Sequence, residues 1–362
     1  MSEIKYSKRT HKGNMFKNIL KITAFVLIVI IIVLLGMYRN ELATLSSLKS
    51  VDQHPLYTMT YKGDYGFDEF LQIGASSDQD IEEFVIKRLL KGLNIDLKLT
   101  SAGCTVFAAE NKNGERIFGR NFDFDYAPAI LLTTKPNNGY ESISMVNLVF
   151  AGYGKNKLPQ KYSFNSFLTL AAPYLPFDGM NEKGVAIALL AVPYSEPPQD
   201  PEKITLNTTT AIRLVLDKAK NTEEAMDLLK QYNYYFSGGI DCHYLIADSK
   251  GKTVLVEFME NEVKFIEVKE SYQIASNFIS YNNLNIGEGA DEFERYDIIN
   301  QYLTDSKGIV GEDNAMDLLK QVSCNERTQW SAVYNQQTGS IRVCMSGDYK
   351  EKLQFKLTDF KD

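Results

Sequence analysis

Histidine and cysteine are scarce in this chain: three histidines and four cysteines in 362 residues. His11 precedes a long apolar run, His54 follows it, and only His243 lies within the globular part. There is no Cys-x-x-Cys pair and no His-rich ligand set, so no metal or other cofactor is expected. Four cysteines are too few for a disulfide scaffold; a Cys324–Cys344 bridge stays open as an isolated pairing. A basic surplus is also lacking. The net charge of −7 argues against a nucleic-acid partner. The heptad Ala225–Gln231 recurs at Ala315–Gln321, but the flanks do not match. Two similar amphipathic helices are expected, not a duplication. The length allows one large domain or two small ones with ample core.

The N-terminal stretch is basic, with Lys5, Lys8, Arg9, Lys12, Lys17 and Lys21. Ile22 to Tyr38 is then almost wholly apolar. With Met15–Leu20 it approaches the roughly 20 residues that span a bilayer. The basic flank predicts a cytoplasmic N-terminus and an external remainder. A cleaved signal peptide is the rival reading, but the run exceeds the usual length of about 7–15 residues and no clear Ala-x-Ala follows.

The chemistry centres on Gly103-Cys104-Thr105-Val106-Phe107. An apolar run reaches Ala109, Asn111-Lys112-Asn113-Gly114 reads as a turn, and Arg116 to Phe124 reads as a second strand. Such a hairpin returns Arg120 and Asp123 toward Cys104. A thiol beside a guanidinium and a carboxylate suits a nucleophile; a small buried hydrophobe is the alternative. Two bases are open to that nucleophile. One is His243. The other is the α-amino group of Cys104, freed by breaking the Gly103–Cys104 bond. Such an amine has a pKa of about 7.7–8.

Elsewhere, strands are predicted at Leu56–Tyr61, Ile143–Val149, Val185–Val192, Cys242–Asp248, Thr253–Phe258, Val263–Val268, Tyr272–Ser276, Thr328–Tyr334 and Ser340–Met345. Helices are predicted at Ile81–Leu90, Thr209–Lys220, Glu223–Tyr232 and Asp291–Leu303. Gly152 to Pro176 reads as loops at a pocket mouth. Strands alternate with paired helices without a regular βαβ rhythm, an α+β pattern.

Several ordered motifs resemble the choloylglycine hydrolase family of N-terminal-nucleophile amidases, which includes bile salt hydrolases and penicillin V acylases. They are Cys104-Thr105, Phe118–Asp123, Asp178–Gly184, His243–Asp248, Ser276-Asn277 and Thr328–Tyr334, over about residues 104 to 345. The internal Gly-Cys site after a leader is more like the penicillin acyltransferase and acid ceramidase branch. The resemblance implies a four-layer αββα fold, which follows the single N-terminal transmembrane helix read from the apolar run. Together with the hydropathy, this divides the chain into a cytoplasmic tail at 1–14, an anchor at 15–38, a stalk at 39–53, a folded pro-segment at 54–103 and a catalytic domain at 104–362. The resemblance implies catalytic roles for Cys104, Arg120, Asp123, Asn277 and Arg295, and substrate or oxyanion contacts from Asn181, Ala191 and Asn277. Asn181 has a second reading as a turn former before Gly184. Ala191 stands where the family carries Asn or Tyr, so only its backbone can serve. The implied activity is self-processing hydrolysis of a small-molecule linear amide, with an acyltransferase or a non-catalytic extracellular binding domain as alternatives.

Overall fold

The hairpin forms where the turn chemistry asks for it. Strand β3 (Gly103–Glu110) pairs antiparallel with β4 (Arg116–Asp123), and Gly114 takes the left-handed φ of +79° in the connection. Gly103 lies opposite Asp123, and Cys104 opposite Phe122. The computed structural model describes residues 2–51, 54–90, 103–161, 163–287 and 289–360, with side chains from residue 16 onward.

Two units are distinguished, Met1–Ala43 and Thr44–Asp362. In the first, helix α1 (Ser2–Met37) contains the apolar stretch Phe16–Met37, which is long and apolar enough to cross a membrane. Helix α2 (Arg39–Ser47) begins there and ends in the second unit, where Thr44 and Leu45 are buried. The expected stalk is therefore helical over much of its length, and its last part enters a sheet. Asp52 and Gln53 lie outside the described residues, as do residues 91–102 of the expected pro-segment.

The larger sheet has nine strands. In spatial order they begin with β1 (Lys49–Ser50), β2 (Leu56–Thr60), β5 (Ala129–Thr134), β6 (Ser142–Asn147) and β7 (Pro176–Asn181). They continue with β8 (Ala186–Ala191), β11 (Cys242–Ala247), β12 (Thr253–Met259) and β13 (Glu262–Ile266). All neighbours are antiparallel except β2 and β5, which run parallel. The second sheet orders β14 (Gln273–Ala275), β3, β4, β17 (Thr328–Asn335), β18 (Ser340–Met345) and β19 (Asp348–Lys356). Two small pairs complete the strands: β9 (Thr205–Asn207) with β10 (Asn233–Tyr235), and β15 (Phe278–Ile279) with β16 (Ile286–Gly287).

The two large sheets face each other, β3 packing on β8. Helices α5 (Thr208–Lys218) and α6 (Thr222–Leu229) cover the outer face of the nine-stranded sheet, α5 directly on β7 and β8. Helices α7 (Asp291–Asp305) and α8 (Glu312–Gln321) cover the six-stranded one. This is the αββα sandwich. Its inner strands are buried on both faces, so they read as apolar runs with polar residues only where a partner waits. Two short helices precede the nucleophile, α3 (Phe67–Ile73) and α4 (Asp78–Val85). Their Phe67, Phe70 and Phe84 rings interlock with Tyr174 at centroid distances of 5.5–6.0 Å.

Most predicted elements fall within a few residues of those observed. The Gly152–Pro176 stretch departs from its reading. It holds a 3₁₀ segment, Phe164–Tyr174, whose second half is buried under the sheet. Strands β5, β7 and β19 were not anticipated, nor were the short strands β1, β9, β10, β15 and β16.

Candidate active site

Strand alternation sorts the side chains around Cys104. Cys104, Arg120 and Phe122 point between the two sheets, while Gly103, Thr105 and Asp123 lie on the face covered by α7 and α8. Cys104 is fully buried at the start of β3. Arg120 Nη1 lies 3.8 Å from its sulfur. The same guanidinium donates to the carbonyls of Asn121 (3.1 Å) and Leu189 (3.3 Å). Its Nε sits 2.7 Å from Asp178 Oδ2, a contact of charge without hydrogen-bond alignment. Trp330 Nε1 donates to that carboxylate at 3.0 Å, and the Tyr334 hydroxyl donates to its other oxygen. The rings of Phe122 and Trp330 lie 4.9 and 5.6 Å from the guanidinium carbon. Arg120 thus ties β4 to β7 across the sandwich and presents one edge to the thiol.

On the other face Arg295 of α7 reaches the end of the hairpin. Its Nη1 donates to Asp123 Oδ2 (3.1 Å), Thr105 Oγ1 (2.9 Å) and the Cys104 carbonyl (3.3 Å). Its Nη2 donates to Asn277 Oδ1 (3.1 Å), and Nε pairs with Asp291 Oδ2 (2.9 Å). Asp123 also accepts from Thr328 Oγ1 at 2.6 Å. Burial raises the Asp123 carboxyl above its usual range, while the Thr328 hydrogen bond and the Arg295 charge pull it back.

Asn277 follows β14 and joins the parts. Its Oδ1 accepts from the Cys104 backbone N–H (2.7 Å) as well as from Arg295. Two donors on one atom fix the amide orientation, so Nδ2 faces the Ala191 carbonyl at 2.8 Å. One Nδ2 hydrogen remains for another acceptor. Ala191 ends β8, and its backbone N–H helps lower the Cys104 thiol's pKa. Burial pushes the Cys104 thiol up to about 11, against the lowering effects of Arg120, Arg295 and that N–H; Asp123 adds to the rise.

Two cavities meet at Ala191. A polar one of about 330 Å³ is bounded by Gly103, Asp123, Asn277, Arg295 and Cys324. An apolar recess of about 50 Å³ runs back between Ile81, Phe124, Phe150, Phe177 and Leu189. Gly103 packs closely at the mouth: a Cβ there would stand 3.3 Å from Asp123 Cβ.

Of the residues expected at the site, Cys104, Arg120, Asp123, Asn277, Arg295 and Ala191 come together. Asn181 does not. Its Oδ1 accepts from Lys183 and Val185 N–H, and its Nδ2 donates to the Leu216 and Ala219 carbonyls. It closes the β7–β8 turn and holds the end of α5, at the opposite end of β8 from Ala191. Its hydrogen-bonding groups are spent there, so the turn reading replaces the substrate contact. His243 is also turned away. Its Nδ1 meets Glu257 Oε1 (3.2 Å) and its Nε2 the Ser276 carbonyl (2.9 Å). Cys324 and Cys344 are not joined by a disulfide. Among the described residues no His, Cys, Asp and Glu cluster could hold a metal ion. Asp178, Thr105 and Thr328 were missed as partners of the site. The buried carboxylate inside Pro176–Met180 was the one available signal for them.

A model of linear amide C–N hydrolases, choloylglycine hydrolase family, matches residues 104–286, just over half of the chain. The chain belongs to the choloylglycine hydrolase family. A bile salt hydrolase/transferase of Clostridium perfringens (strain 13 / Type A) is 32% identical over 164 residues, covering 42% of this chain and 47% of that protein. The match thus spans about half the length of that relative. A mutant conjugated bile acid hydrolase from Clostridium perfringens superposes with a TM-score of 0.50 at 17% identity, over 71% of this chain and 93% of that one. The choloylglycine hydrolase sandwich is therefore shared as a fold. A Caenorhabditis elegans N-acylethanolamine-hydrolyzing acid amidase ortholog gives a looser superposition, TM-score 0.45 at 17% identity, over 70% and 99% of the two chains.

Proposed function

We propose that this chain cuts its own Gly103–Cys104 bond and then hydrolyses small N-acyl amides, with Cys104 as nucleophile and its freed amine as base. The observation that carries the reading is the pair of contacts on one residue: Arg120 at the Cys104 sulfur and Asn277 Oδ1 at the Cys104 nitrogen. A thiol raised to about 11 is protonated at neutral pH. It needs a base, and an α-amine of pKa about 7.7–8 on the same residue supplies one. Asn277 Oδ1 already holds that nitrogen. Asp123 and Arg295 frame it.

In the first step the Cys104 sulfur adds to the Gly103 carbonyl, the C–N bond breaks, and the nitrogen leaves with a proton as an amine. Water then opens the thioester and frees the sulfur. In each later turnover the amine takes the thiol proton, the sulfur adds to the substrate carbonyl, and the amine returns the proton to the leaving nitrogen as the C–N bond breaks; water, deprotonated by the same amine, then hydrolyses the thioester, releasing the acid and restoring the thiol. The Ala191 N–H and the spare Asn277 Nδ2 hydrogen face the oxyanion. The acyl group enters the apolar recess and the amine part occupies the polar cavity. Conjugated bile acids and penicillin-like amides are the substrate classes to which the family points. The narrow recess favours a slimmer acyl group than a steroid nucleus. A transferase, in which an amine replaces water, uses the same site, and acceptor competition separates the two.

Asn277→Ala should lower the rate on a verified amide about 10²–10³-fold, the usual loss for one oxyanion donor, with the circular dichroism spectrum retained. Wild-type turnover in that variant would remove Asn277 from the site. We further read 1–14 as a cytoplasmic tail, 15–38 as an anchor, 39–53 as a connecting segment, 54–103 as the pro-segment and 104–362 as the external catalytic part. Protease added to intact cells should then degrade the domain. Protection until lysis would reverse the topology, and a mature N-terminus near residues 40–50 would replace the anchor with a signal peptide.

A further inference from the structure

We propose that the length of the acyl group is selected by helix α4, upstream of the nucleophile, through Ile81; the substrate part of this rests on the amidase reading above. Ile81 is 3% exposed and forms one wall of the apolar recess. Three other wall residues, Phe124, Phe150 and Phe177, are aromatic and interlocked. Phe177 contacts Phe150 (5.0 Å) and Phe122 (5.1 Å), and Phe122 in turn lies 4.2 Å from Trp330, the ring pair beside Arg120. A change of size among these rings disturbs the guanidinium at the sulfur. Ile81 belongs to a separate short helix with its own fastening. Ser77 Oγ caps it by accepting from Asp80 N (3.2 Å). Asp78 Oδ2 accepts from Gly238 N (2.9 Å), docking the helix on the segment whose next residues, Gly239 and Ile240, border the polar cavity. Ile81 is therefore a wall position where volume can vary while Cys104, Arg120 and Asn277 stay in place. Because α4 precedes Gly103, cutting at Cys104 leaves the size-selecting wall on one fragment and the nucleophile on the other.

The test uses full-length protein and a series of linear N-acyl amides sharing one amine, from butanoyl to dodecanoyl. Ile81→Val removes one methyl group and should raise the kcat/KM ratio of long to short acyl groups about tenfold, in line with what one methylene is worth in an apolar pocket. Ile81→Phe should lower that ratio. Val85→Ala, on the same helix but away from the recess, should leave it unchanged, which separates selection from loss of helix stability. As a second readout, the Cys104→Ala protein carrying each Ile81 change is titrated with the carboxylates from butanoate to dodecanoate. The best-bound length should shift in the same direction. A ratio and a binding order that ignore both Ile81 changes overturn the proposal. If the wild type cleaves no amide, the amidase reading fails by itself, and the carboxylate titration still decides the role of Ile81.

Discussion

Cys104→Ala should remain one uncut chain and hydrolyse nothing, whereas wild type should appear as two pieces meeting at Gly103 and Cys104. Intact mass reads both results directly. The expectation follows from where the thiol sits. Its sulfur faces Arg120 Nη1, and the residue before it has no side chain to shield the carbonyl. Gly103 also packs within 3.4 Å of the Asp123 carboxylate for any added Cβ. A bulky residue there would move the scissile carbonyl or Asp123. Cys104→Ser keeps a nucleophile of weaker character, so cutting should slow and not stop. Equal cutting of Cys104→Ala and wild type would assign the processing to another protease. An uncut wild type that still hydrolyses amides would refute the amine as base. His243 would not simply inherit the role, because both its ring nitrogens are engaged with Glu257 and Ser276.

Asp178→Ala should cost about 3–5 kcal/mol of stability, the usual penalty for stranding one member of a buried ion pair. Arg120 is wholly buried and Asp178 is its carboxylate partner across the sandwich. The change also takes the acceptor from Trp330 and Tyr334. Against a total of about 5–15 kcal/mol for a typical domain, such a loss is large. The urea midpoint should fall at nearly constant slope. There is a second consequence. Asp178, at 2.7 Å, holds the guanidinium more closely than the sulfur does at 3.8 Å. Without Asp178 the positive charge is left to Cys104. Thiol alkylation should then titrate at lower pH than in wild type. A stability loss under about 1 kcal/mol, with an unchanged alkylation profile, would mean that the pair is not the brace described here.

The hairpin carrying Cys104, Arg120 and Asp123 was legible because it is local: a turn signal, two apolar runs and fixed alternation. Asn277 and Ala191 were reached through ordered motifs, since nothing in their own neighbourhoods marks them. The position of Arg295 depends on α7 crossing the end of β3, a packing event between residues 190 apart in sequence. No pattern within α7 encodes that. Asp178 sits in an apolar strand, where its charge was visible but its partner was not. Strand β19 escaped notice because Lys350, Glu351 and Lys352 are exposed on a sheet edge, where charge guards against further pairing and hides the apolar run. The 3₁₀ segment at Phe164–Tyr174 lacks the 3.6-residue period of an α-helix, so its apolar residues looked like loop. Asn181 carried two readings, and its hydrogen bonds fill the turn one. Its motif was right, and its chemistry is a turn.

Strand β2 lies inside the nine-stranded sheet, flanked by β1 and by the parallel β5. It precedes the proposed cut, and β5 follows it. Breaking one peptide bond at Cys104 leaves every hydrogen bond of that seam intact. Maturation would then not be shedding. The downstream fragment would lose its covalent link to the apolar N-terminal helix yet remain moored through backbone pairing, and a wash that releases loosely bound proteins would leave it in place. Only a denaturant that melts the sheet would set it free.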